Sequence, residues 1–315
     1  MKPHETPTRI HLTGVYTALV TPFTEKGEVD EHALRKLVRR QAAGGVAGVV
    51  PCGTTGEAAT LDPDEHERVV AVTVEEARTA RRPIRVVAGC GSNDTRRSQK
   101  LAERCRRAGA DALLVVTPYY NKPTPRGLVE HFRAVADVGH LPLVVYNVPG
   151  RTGVNMLPET VLQLSEDPRM CAVKEASGNL DQACEILRHR PPGFSVLSGE
   201  DSLALPMIAC GADGVVAVVS NEAPALFVLL VEAALTGERE TAARLQARLL
   251  PLMRANFRES SPIPAKWALH RLGLIQDVLR LPLVPLSKGL HRPMEEALAE
   301  AGLLDGAGAV VEEAP

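Results

Sequence analysis

Short apolar runs alternate with longer amphipathic stretches over the first three quarters of the chain. Each run is rich in valine and small residues and is nearly continuously apolar, which is typical of a strand buried on both faces. There are eight such runs, at residues 14–23, 46–55, 83–90, 112–120, 141–148, 171–177, 194–200 and 214–220. The pattern therefore predicts eight parallel strands.

Between the runs, apolar residues recur at helical spacing, for example over residues 30–43 and 94–110. Asp30, Asp64 and Asp94 each stand where a carboxylate could cap the following helix. The segments "AAGGVAGVV", "RRAGADALLVV" and "ACGADGVVAVV" each pass from a helix end through glycine into a valine-rich run. A repeated βα unit of this kind predicts an α/β fold, the (β/α)8 TIM barrel.

A doubly wound open sheet with an extra domain is the alternative fold. That fold favours a phosphate-binding glycine loop after the first strand. Here the first strand is followed by "TPFTEKGEVD", which contains no such loop. The sequence therefore favours the barrel.

The strand pattern stops after residue 235. The remaining periodic segments read as helices, at residues 238–257, 262–273 and 292–302. We expect a barrel carrying the active site over 1–235, a C-terminal helical region over 236–302 and a loose tail over 303–315.

Composition and charge make several kinds of partner and location unfavourable for this protein. The net charge of the 315 residues is −2, and no basic stripe is present, so nucleic acid and acidic membrane surfaces are poor partners. The cysteines form no metal-type pair, which predicts free thiols in a reducing compartment and no zinc site. The first residues lack a signal-peptide core, and no apolar run reaches membrane-spanning length. We expect a cytoplasmic protein.

Unusual polar residues stand at the carboxyl ends of successive predicted strands. In a barrel of this type these ends meet in one mouth, where the chemistry takes place. The residues found there are Thr54, Thr55, Tyr119, Tyr120, Tyr146, Arg151, Lys174, Gly199 and Val216. No His/Asp/Glu set with metal-ligand spacing and no GxSxG nucleophile elbow accompanies them.

Taken singly, each of these residues has an ordinary structural interpretation. Lys174 could pair with a carboxylate across the barrel, Tyr146 could be a satisfied core tyrosine, and Arg151 could be a solvated loop residue. Taken together, they favour a site in which a lysine amine attacks a carbonyl to form a Schiff base. The guanidinium would then serve as a fork for a substrate carboxylate.

Four motifs, "GTTGEAATL", "TPYYNKP", "YNVPGRTG" and "KEASGNL", occur in this order. Over about residues 12–300 the chain resembles the 4-hydroxy-tetrahydrodipicolinate synthase (dihydrodipicolinate synthase) family of the class I, N-acetylneuraminate lyase-like superfamily. The resemblance implies a barrel lyase that condenses pyruvate with L-aspartate 4-semialdehyde in diaminopimelate and lysine biosynthesis. It also implies that no cofactor or metal is needed.

Two alternatives stay open at this point. Aldolases of the same superfamily share the lysine and the tyrosine, and they act on 2-keto-3-deoxy sugar acids, 4-hydroxy-2-oxoglutarate or sialate. Arg151 and the "PYYN" pair favour the synthase over these aldolases. The other alternative is a non-catalytic barrel that binds a keto acid.

The resemblance implies the roles of four catalytic residues. Lys174 matches the lysine that forms an imine with pyruvate, and Tyr146 matches the tyrosine that relays protons at that imine. Thr54 matches the threonine that links this tyrosine to a second one, Tyr120. In the family the second tyrosine reaches across a dimer interface into the neighbouring subunit's site, and we expect a homotetramer, a dimer of dimers.

Four further positions match substrate-binding residues of the family. Thr55 matches the residue that holds the pyruvate carboxylate, and Arg151 matches the arginine that receives the carboxylate of aspartate semialdehyde. The carbonyls of Gly199 and Val216 match those that line the pocket near the amine.

The chain departs from the family at an inhibitor site. Members inhibited by lysine have a serine, a histidine and a glutamate where this chain has Ala58, Pro63 and Arg97. The other residues of that site remain, namely His66, Asn93 and Tyr119. We therefore expect weak or absent inhibition by lysine. A smaller departure is Glu222, where many synthases have a small or apolar residue, and the sequence assigns it no role.

Overall fold

The chain folds as a closed barrel of parallel strands with helices between them. The computed structural model describes residues 10–305 and 307–311. Most of the N-terminal segment, in which the sequence shows no signal-peptide core, lies outside these residues. The strands are joined in sequence order, and the eighth pairs with the first. They are β1 Gly14–Ala18, β2 Gly48–Val50, β3 Arg85–Gly89, β4 Ala112–Val116, β5 Leu143–Asn147, β6 Met170–Glu175, β7 Ser195–Ser198 and β8 Gly214–Ala217.

Each strand is shorter than the apolar run that predicted it. The run at 46–55, for example, contains only Gly48–Val50 as strand. Residues 51–55 leave the ladder at its carboxyl end and form a loop, in which Pro51 and Gly53 break the strand pattern. The apolar composition of this loop reflects its packing over the barrel mouth, where Cys52 is also buried.

Helices surround the barrel and continue beyond it. Those following the strands are α1 Glu31–Ala43, α2 Pro63–Thr79, α3 Thr95–Arg107, α4 Pro125–Gly139, α5 Pro149–Thr152, α6 Pro158–Ser165, α7 Leu180–His189, α8 Ala204–Ala209 and α9 Pro224–Thr236. The C-terminal region adds α10 Arg239–Ala255, α11 Ile263–Arg271 and α12 His291–Ala301. Short 3-10 turns lie at Ala58–Thr60, Asp201–Leu203, Val219–Asn221 and Lys288–Leu290.

Two apolar cores result from the alternation of side chains along the strands. One fills the barrel and includes Tyr16, Val50, Leu114, Val144 and Val216. The other fills the space between the strands and the helices. Because side chains on a strand alternate with a period of two, each buried run supplies both cores at once, which explains why the runs are continuously apolar.

The C-terminal region packs onto the barrel through α10, which lies against α9 and α12. The segment predicted as a loose tail differs from that expectation where it is described. Leu303 and Leu304 are buried, and Leu304 forms an antiparallel bridge with Val310. Apolar side chains on this segment give it a surface to bury. Residues 306 and 312–315 of the predicted tail lie outside the described residues.

The helix caps confirm two of the three predicted positions. Asp30 and Asp94 accept hydrogen bonds from the first turns of α1 and α3. The prediction for Asp64 is wrong, because the cap of α2 is Asp62, whose side chain accepts from the backbone of Asp64 and Glu65. The Glu65 carboxylate accepts a hydrogen bond from the backbone N–H of Asp62, which completes a capping box. Pro63 is the first residue of the helix.

We expect Asp62→Ala to lower the free energy of unfolding by about 1 kcal/mol, because it removes the acceptor of two backbone N–H groups. Asp64→Ala is the matched control. It removes only an ion pair between Arg104 and an exposed carboxylate, which is worth less than about 1 kcal/mol. Chemical denaturation of both variants measures the difference, and equal losses would contradict the assignment of the cap.

Candidate active site

Lys174 lies near the carboxyl end of β6 and is only 6% exposed. In the strand register it stands beside Tyr146 of β5, and its Nζ lies 4.1 Å from the centroid of the Tyr146 ring. Ala172, two residues earlier, belongs to the core inside the barrel, so the period of the strand directs Lys174 to the same side. The sequence thus places an amine inside the mouth of the barrel.

The Lys174 amine has no hydrogen-bond or ion-pair partner among the described residues. The structural interpretation considered for this lysine, a pair with a carboxylate across the barrel, is therefore not what the structure contains. A second buried lysine, Lys266, does form such a pair, with Nζ 2.6 Å from Oε1 of Glu57. The amine of Lys174 consequently remains available to a ligand.

Gly199 gives the lysine side chain its space. Its backbone N–H donates to the carbonyl of Glu175 at 2.7 Å, which draws the end of β7 against β6. A Cβ at position 199 would lie 2.6 Å from the Cβ of Ala176 and 3.2 Å from Cε of Lys174. Only glycine allows this close approach of backbone to side chain.

The loop after β2 presents two threonines. Thr54 is exposed, whereas Thr55 is 5% exposed. The loop is a tight succession of turns, in which the N–H of Gly56 donates to the carbonyl of Gly53 and the N–H of Glu57 donates to that of Thr54. These turns fix the two hydroxyl-bearing residues at the edge of the mouth.

Arg151 follows β5 on the short helix α5. Its guanidinium donates to the backbone carbonyl of Ser261 at 3.3 Å, and the side chain is otherwise exposed to the cavity. A planar, permanently charged group held in this way suits a carboxylate.

A cavity of about 380 Å³ opens at this end of the barrel. Of the predicted site residues, Thr54, Tyr146 and Arg151 line it. Four others do not line the cavity itself, namely Thr55, Lys174, Gly199 and Val216. Lys174 nevertheless touches the cavity wall through its contact with Tyr146, and Val216 belongs to the same interior core as Tyr146.

Tyr120 is placed differently from the rest. Its side chain is 88% exposed and does not line the cavity of its own chain. Its backbone has φ +73°, a left-handed conformation that non-glycine residues seldom adopt, and its N–H donates to the carbonyl of Thr152. The loop therefore holds this phenol outward, away from the barrel.

The family to which such a barrel belongs is decided by comparison with known proteins. The model of the dihydrodipicolinate synthetase family matches residues 11–301. The chain belongs to the dihydrodipicolinate synthetase family. It is an enzyme, and its curated relatives are 4-hydroxy-tetrahydrodipicolinate synthases. The relative from Geobacter sulfurreducens is 47% identical over 291 residues, which cover 92% of this chain and 99% of the relative.

Solved structures agree with this membership. The chloride-inhibited dihydrodipicolinate synthase from Acinetobacter baumannii, solved with pyruvate, is 39% identical and has a TM-score of 0.90 over 93% of this chain and 99% of that chain. The synthase from Cyanidioschyzon merolae, solved with lysine bound, is 40% identical with a TM-score of 0.90, covering 94% of this chain and 100% of that chain.

Two residues at the mouth of this synthetase-family barrel were not predicted from the sequence. Ser261, from the segment before α11, lines the cavity beside Arg151, and its hydroxyl has no hydrogen-bond partner among the described residues. Glu200 follows Gly199; burial raises the pKa of its carboxyl, and the charges of Lys174 and Arg151 oppose that rise. The local sequence around Ser261 does not indicate a site residue. Glu200 could have been identified, because it lies within "SGED" at the end of a predicted strand.

A buried carboxylate fixes the end of β6 next to the lysine. Glu175 accepts from the side-chain amide of Asn147 at 3.0 Å and from the backbone N–H of Ser177 at 2.7 Å. Asn147 in turn donates to Asn155 and accepts from the N–H of Met156. This network ties β5 and β6 together behind Tyr146 and Lys174.

The residues matching the family's inhibitor site lie partly in the same cavity. Ala58, His66, Arg97 and Tyr119 line it, whereas Pro63 begins α2 and does not. His66 is buried, its Nε2 lies 2.8 Å from the carbonyl oxygen of Gly89, and burial lowers the pKa of its ring. Arg97 places a guanidinium in this cavity, at the position where the family resemblance would put a glutamate.

Glu222 lies outside this site. It is fully buried directly after the 3-10 turn that follows β8, and neither carboxyl oxygen has a hydrogen-bond partner among the described residues. Burial raises the pKa of the carboxyl well above its usual value.

The described residues contain neither a cluster of metal ligands nor a helix of membrane-spanning type. No group of three or more His, Cys, Asp or Glu residues that could hold a metal ion occurs within residues 10–305 and 307–311. In the same residues, no helix is long and apolar enough to cross a bilayer. No disulfide joins the cysteines of the described residues, which are Cys52, Cys90, Cys105, Cys171, Cys184 and Cys210.

We expect L-lysine at about millimolar concentration to leave the condensation rate of this enzyme unchanged, because Arg97 repels an ammonium group at short range. Steady-state rates with and without lysine measure the effect. Arg97→Glu is the informative variant, since it replaces the repulsion by attraction and should introduce inhibition. Strong inhibition of the unaltered chain by sub-millimolar lysine would contradict the interpretation.

Proposed function

We propose that this chain condenses pyruvate with L-aspartate 4-semialdehyde through a Schiff base on Lys174, in diaminopimelate and lysine biosynthesis. The observation that carries the proposal is the buried, unpartnered Lys174 amine against the ring of Tyr146 at the barrel mouth. Curated synthases 45–47% identical to this chain support the reaction, and the pyruvate complex of the Acinetobacter baumannii synthase supports the first substrate.

The first half of the reaction converts the lysine amine into an imine, which serves as the electron sink. Lys174 attacks the ketone carbon of pyruvate, and the carbonyl oxygen leaves as water to give a protonated imine. The imine withdraws electrons from the neighbouring methyl group, which loses a proton and becomes an enamine carbon nucleophile. The lysine therefore supplies the electron sink that a cofactor would otherwise provide.

Proton transfer falls to hydroxyl groups. Tyr146 lies beside the amine and relays protons to and from the imine nitrogen and the departing oxygen. Thr54, which lines the same cavity, links this tyrosine to Tyr120 of a neighbouring subunit. Thr55 holds the pyruvate carboxylate through its hydroxyl and backbone N–H, while the carbonyls of Gly199 and Val216 border the pocket near the amine.

The second half of the reaction requires the arginine. Arg151 at the cavity wall receives the carboxylate of aspartate semialdehyde and places the aldehyde near the enamine. The enamine carbon attacks the aldehyde carbon to form the new C–C bond. The amine of the second substrate then attacks the imine carbon, closes the ring and displaces Lys174, which regains its free amine.

The exposure of Tyr120 supports an assembled enzyme. A phenol that is 88% exposed, next to the half-exposed Tyr119, presents apolar surface outward on the side of the mouth. A second copy of the chain would cover it and receive the hydroxyl in its own site. We propose a homotetramer built as a dimer of dimers, acting in the cytoplasm.

We expect borohydride to trap pyruvate on Lys174, and peptide mass spectrometry to find the adduct on that residue alone. Lys174→Ala should abolish both trapping and turnover, because it removes the amine that forms the imine. Tyr146→Phe keeps the amine and should lose turnover by about 10²–10⁴-fold, the usual contribution of a proton-transfer group. Labelling elsewhere, or none, would refute the mechanism and favour a non-catalytic barrel.

The same preparation distinguishes the synthase from related aldolases. Turnover with pyruvate and aspartate semialdehyde should exceed cleavage of 2-keto-3-deoxy sugar acids, 4-hydroxy-2-oxoglutarate and sialate. Faster cleavage of any of these would overturn the choice of second substrate.

We expect mixed oligomers of Lys174→Ala and Tyr120→Phe subunits to be more active than either variant alone. If Tyr120 acts across the interface, one site of a mixed dimer carries both defects and the other carries neither. If it acted within its own chain, each site would carry one defect. Activity on mixing at subunit-exchange conditions is the measurement, and absence of any gain in verified mixed oligomers would exclude action in trans.

A further inference from the structure

A second lysine of the chain is buried outside the core of the barrel. Lys266 of α11 is 0% exposed, and its Nζ lies 2.6 Å from Oε1 of Glu57 and 3.0 Å from the carbonyl oxygen of Thr21. The same amine stands 4.2 Å from the centroid of the Phe23 ring. The C-terminal helical region thus inserts a charge between the loops that follow β1 and β2.

The partner of this lysine has a strained backbone. Glu57 has φ 51° and ψ 35°, the left-handed region that is unfavourable for a residue with a Cβ. Such a conformation persists only where the surroundings hold it, and it tends to occur at functional sites. Here the carboxylate is held at both oxygens, by Lys266 and by the backbone N–H of Arg280 at 3.2 Å.

The neighbouring loop residue is held by the same network. The carbonyl of Gly56 accepts a hydrogen bond of 2.7 Å from the hydroxyl of Thr21, the residue whose own carbonyl binds Lys266. Thr54 and Thr55 stand immediately before Gly56 and Glu57 in the chain. The network therefore grips the end of the loop that presents both threonines.

The interaction is poorly explained as a source of stability alone. Two charges removed from water lose their hydration, and apolar replacements of buried ion pairs are often neutral or stabilising. A buried pair can instead select one backbone conformation among several. In this protein, that conformation is the strained turn at Glu57, two residues after Thr55, the proposed pyruvate-binding residue.

We propose that Lys266 and Glu57 are positioning residues, which fix the loop that carries Thr54 and Thr55 and thereby determine how tightly pyruvate is bound. This inference rests on the proposed function, in which Thr55 holds the pyruvate carboxylate. Lys266 does not line the cavity. Glu57 does line it, but both oxygens of its carboxylate are occupied, by Lys266 and by the backbone N–H of Arg280. Both residues act through the loop.

The test is the double variant Lys266→Met/Glu57→Gln, which removes both charges and leaves no unpaired ion in the interior. We expect its melting temperature to stay near that of the unaltered enzyme. Its KM for pyruvate should rise by about tenfold or more, the loss of one charge-assisted hydrogen bond to the carboxylate. Its KM for aspartate semialdehyde at saturating pyruvate should change less than its KM for pyruvate, since Arg151 is held by the backbone carbonyl of Ser261, which the substitutions do not remove.

Thr21→Val carries the test if the double variant fails to fold. It is nearly isosteric, removes only the hydroxyl bond to Gly56, and should raise the KM for pyruvate in the same direction by a smaller factor. Arg190→Met is the matched control for stability. Arg190 pairs with Asp213 at the opposite end of the barrel, so its loss should lower the melting temperature and leave the KM for pyruvate unchanged.

The outcomes separate the two proposals. If borohydride traps pyruvate on the unaltered enzyme but the folded double variant, or Thr21→Val in its place, keeps the original KM, the positioning role is wrong. A rise in the pyruvate KM of Arg190→Met equal to that of the double variant would also overturn it, because stability alone would explain the effect. If the unaltered enzyme is not trapped at all, the proposed function fails and this inference fails with it.

Discussion

Closure of a parallel sheet is the constraint on which the rest of this molecule depends. Because all eight strands point the same way and the eighth pairs with the first, their carboxyl ends form a single rim. Alternation along each strand then divides the side chains between the barrel interior and the helix-covered surface. A polar residue placed inward near a carboxyl end has no other position than the mouth, which is how Lys174 and Tyr146 come into contact from different strands.

The chain buries two lysines, and their different surroundings separate structure from chemistry. Lys266 is compensated by a carboxylate, by a carbonyl and by an aromatic face, which offset part of the cost of its burial. The Lys174 amine has no hydrogen-bond or ion-pair partner among the described residues; it lies over the ring of Tyr146, with the charge of Glu200 further away. Lys266 is therefore held in one place by its partners, whereas the amine of Lys174 is left free to meet a ligand at the mouth.

Much of this arrangement could be predicted from local pattern. Apolar runs indicated all eight strands and their order. Of the residues that the four motifs placed at the mouth, Thr54, Tyr146 and Arg151 line the cavity. The strand ends could not be predicted well, because the apolar loops over the mouth look like strand. The cap of α2 could not be chosen between Asp62 and Asp64 by composition, since both precede a helical pattern and only the turn geometry decides.

Contacts between distant residues account for what the sequence could not indicate. Lys266 and Glu57 are 209 residues apart, and within "PIPAKWALHRLG" the lysine looks like an ordinary helix residue. Ser261 likewise reaches the cavity only because α11 folds back over the barrel. The division between a barrel and a helical region therefore describes the order of elements in the chain. The two regions do not have separate functions, since the C-terminal region supplies part of the cavity wall and the charge that holds the loop carrying Thr54 and Thr55.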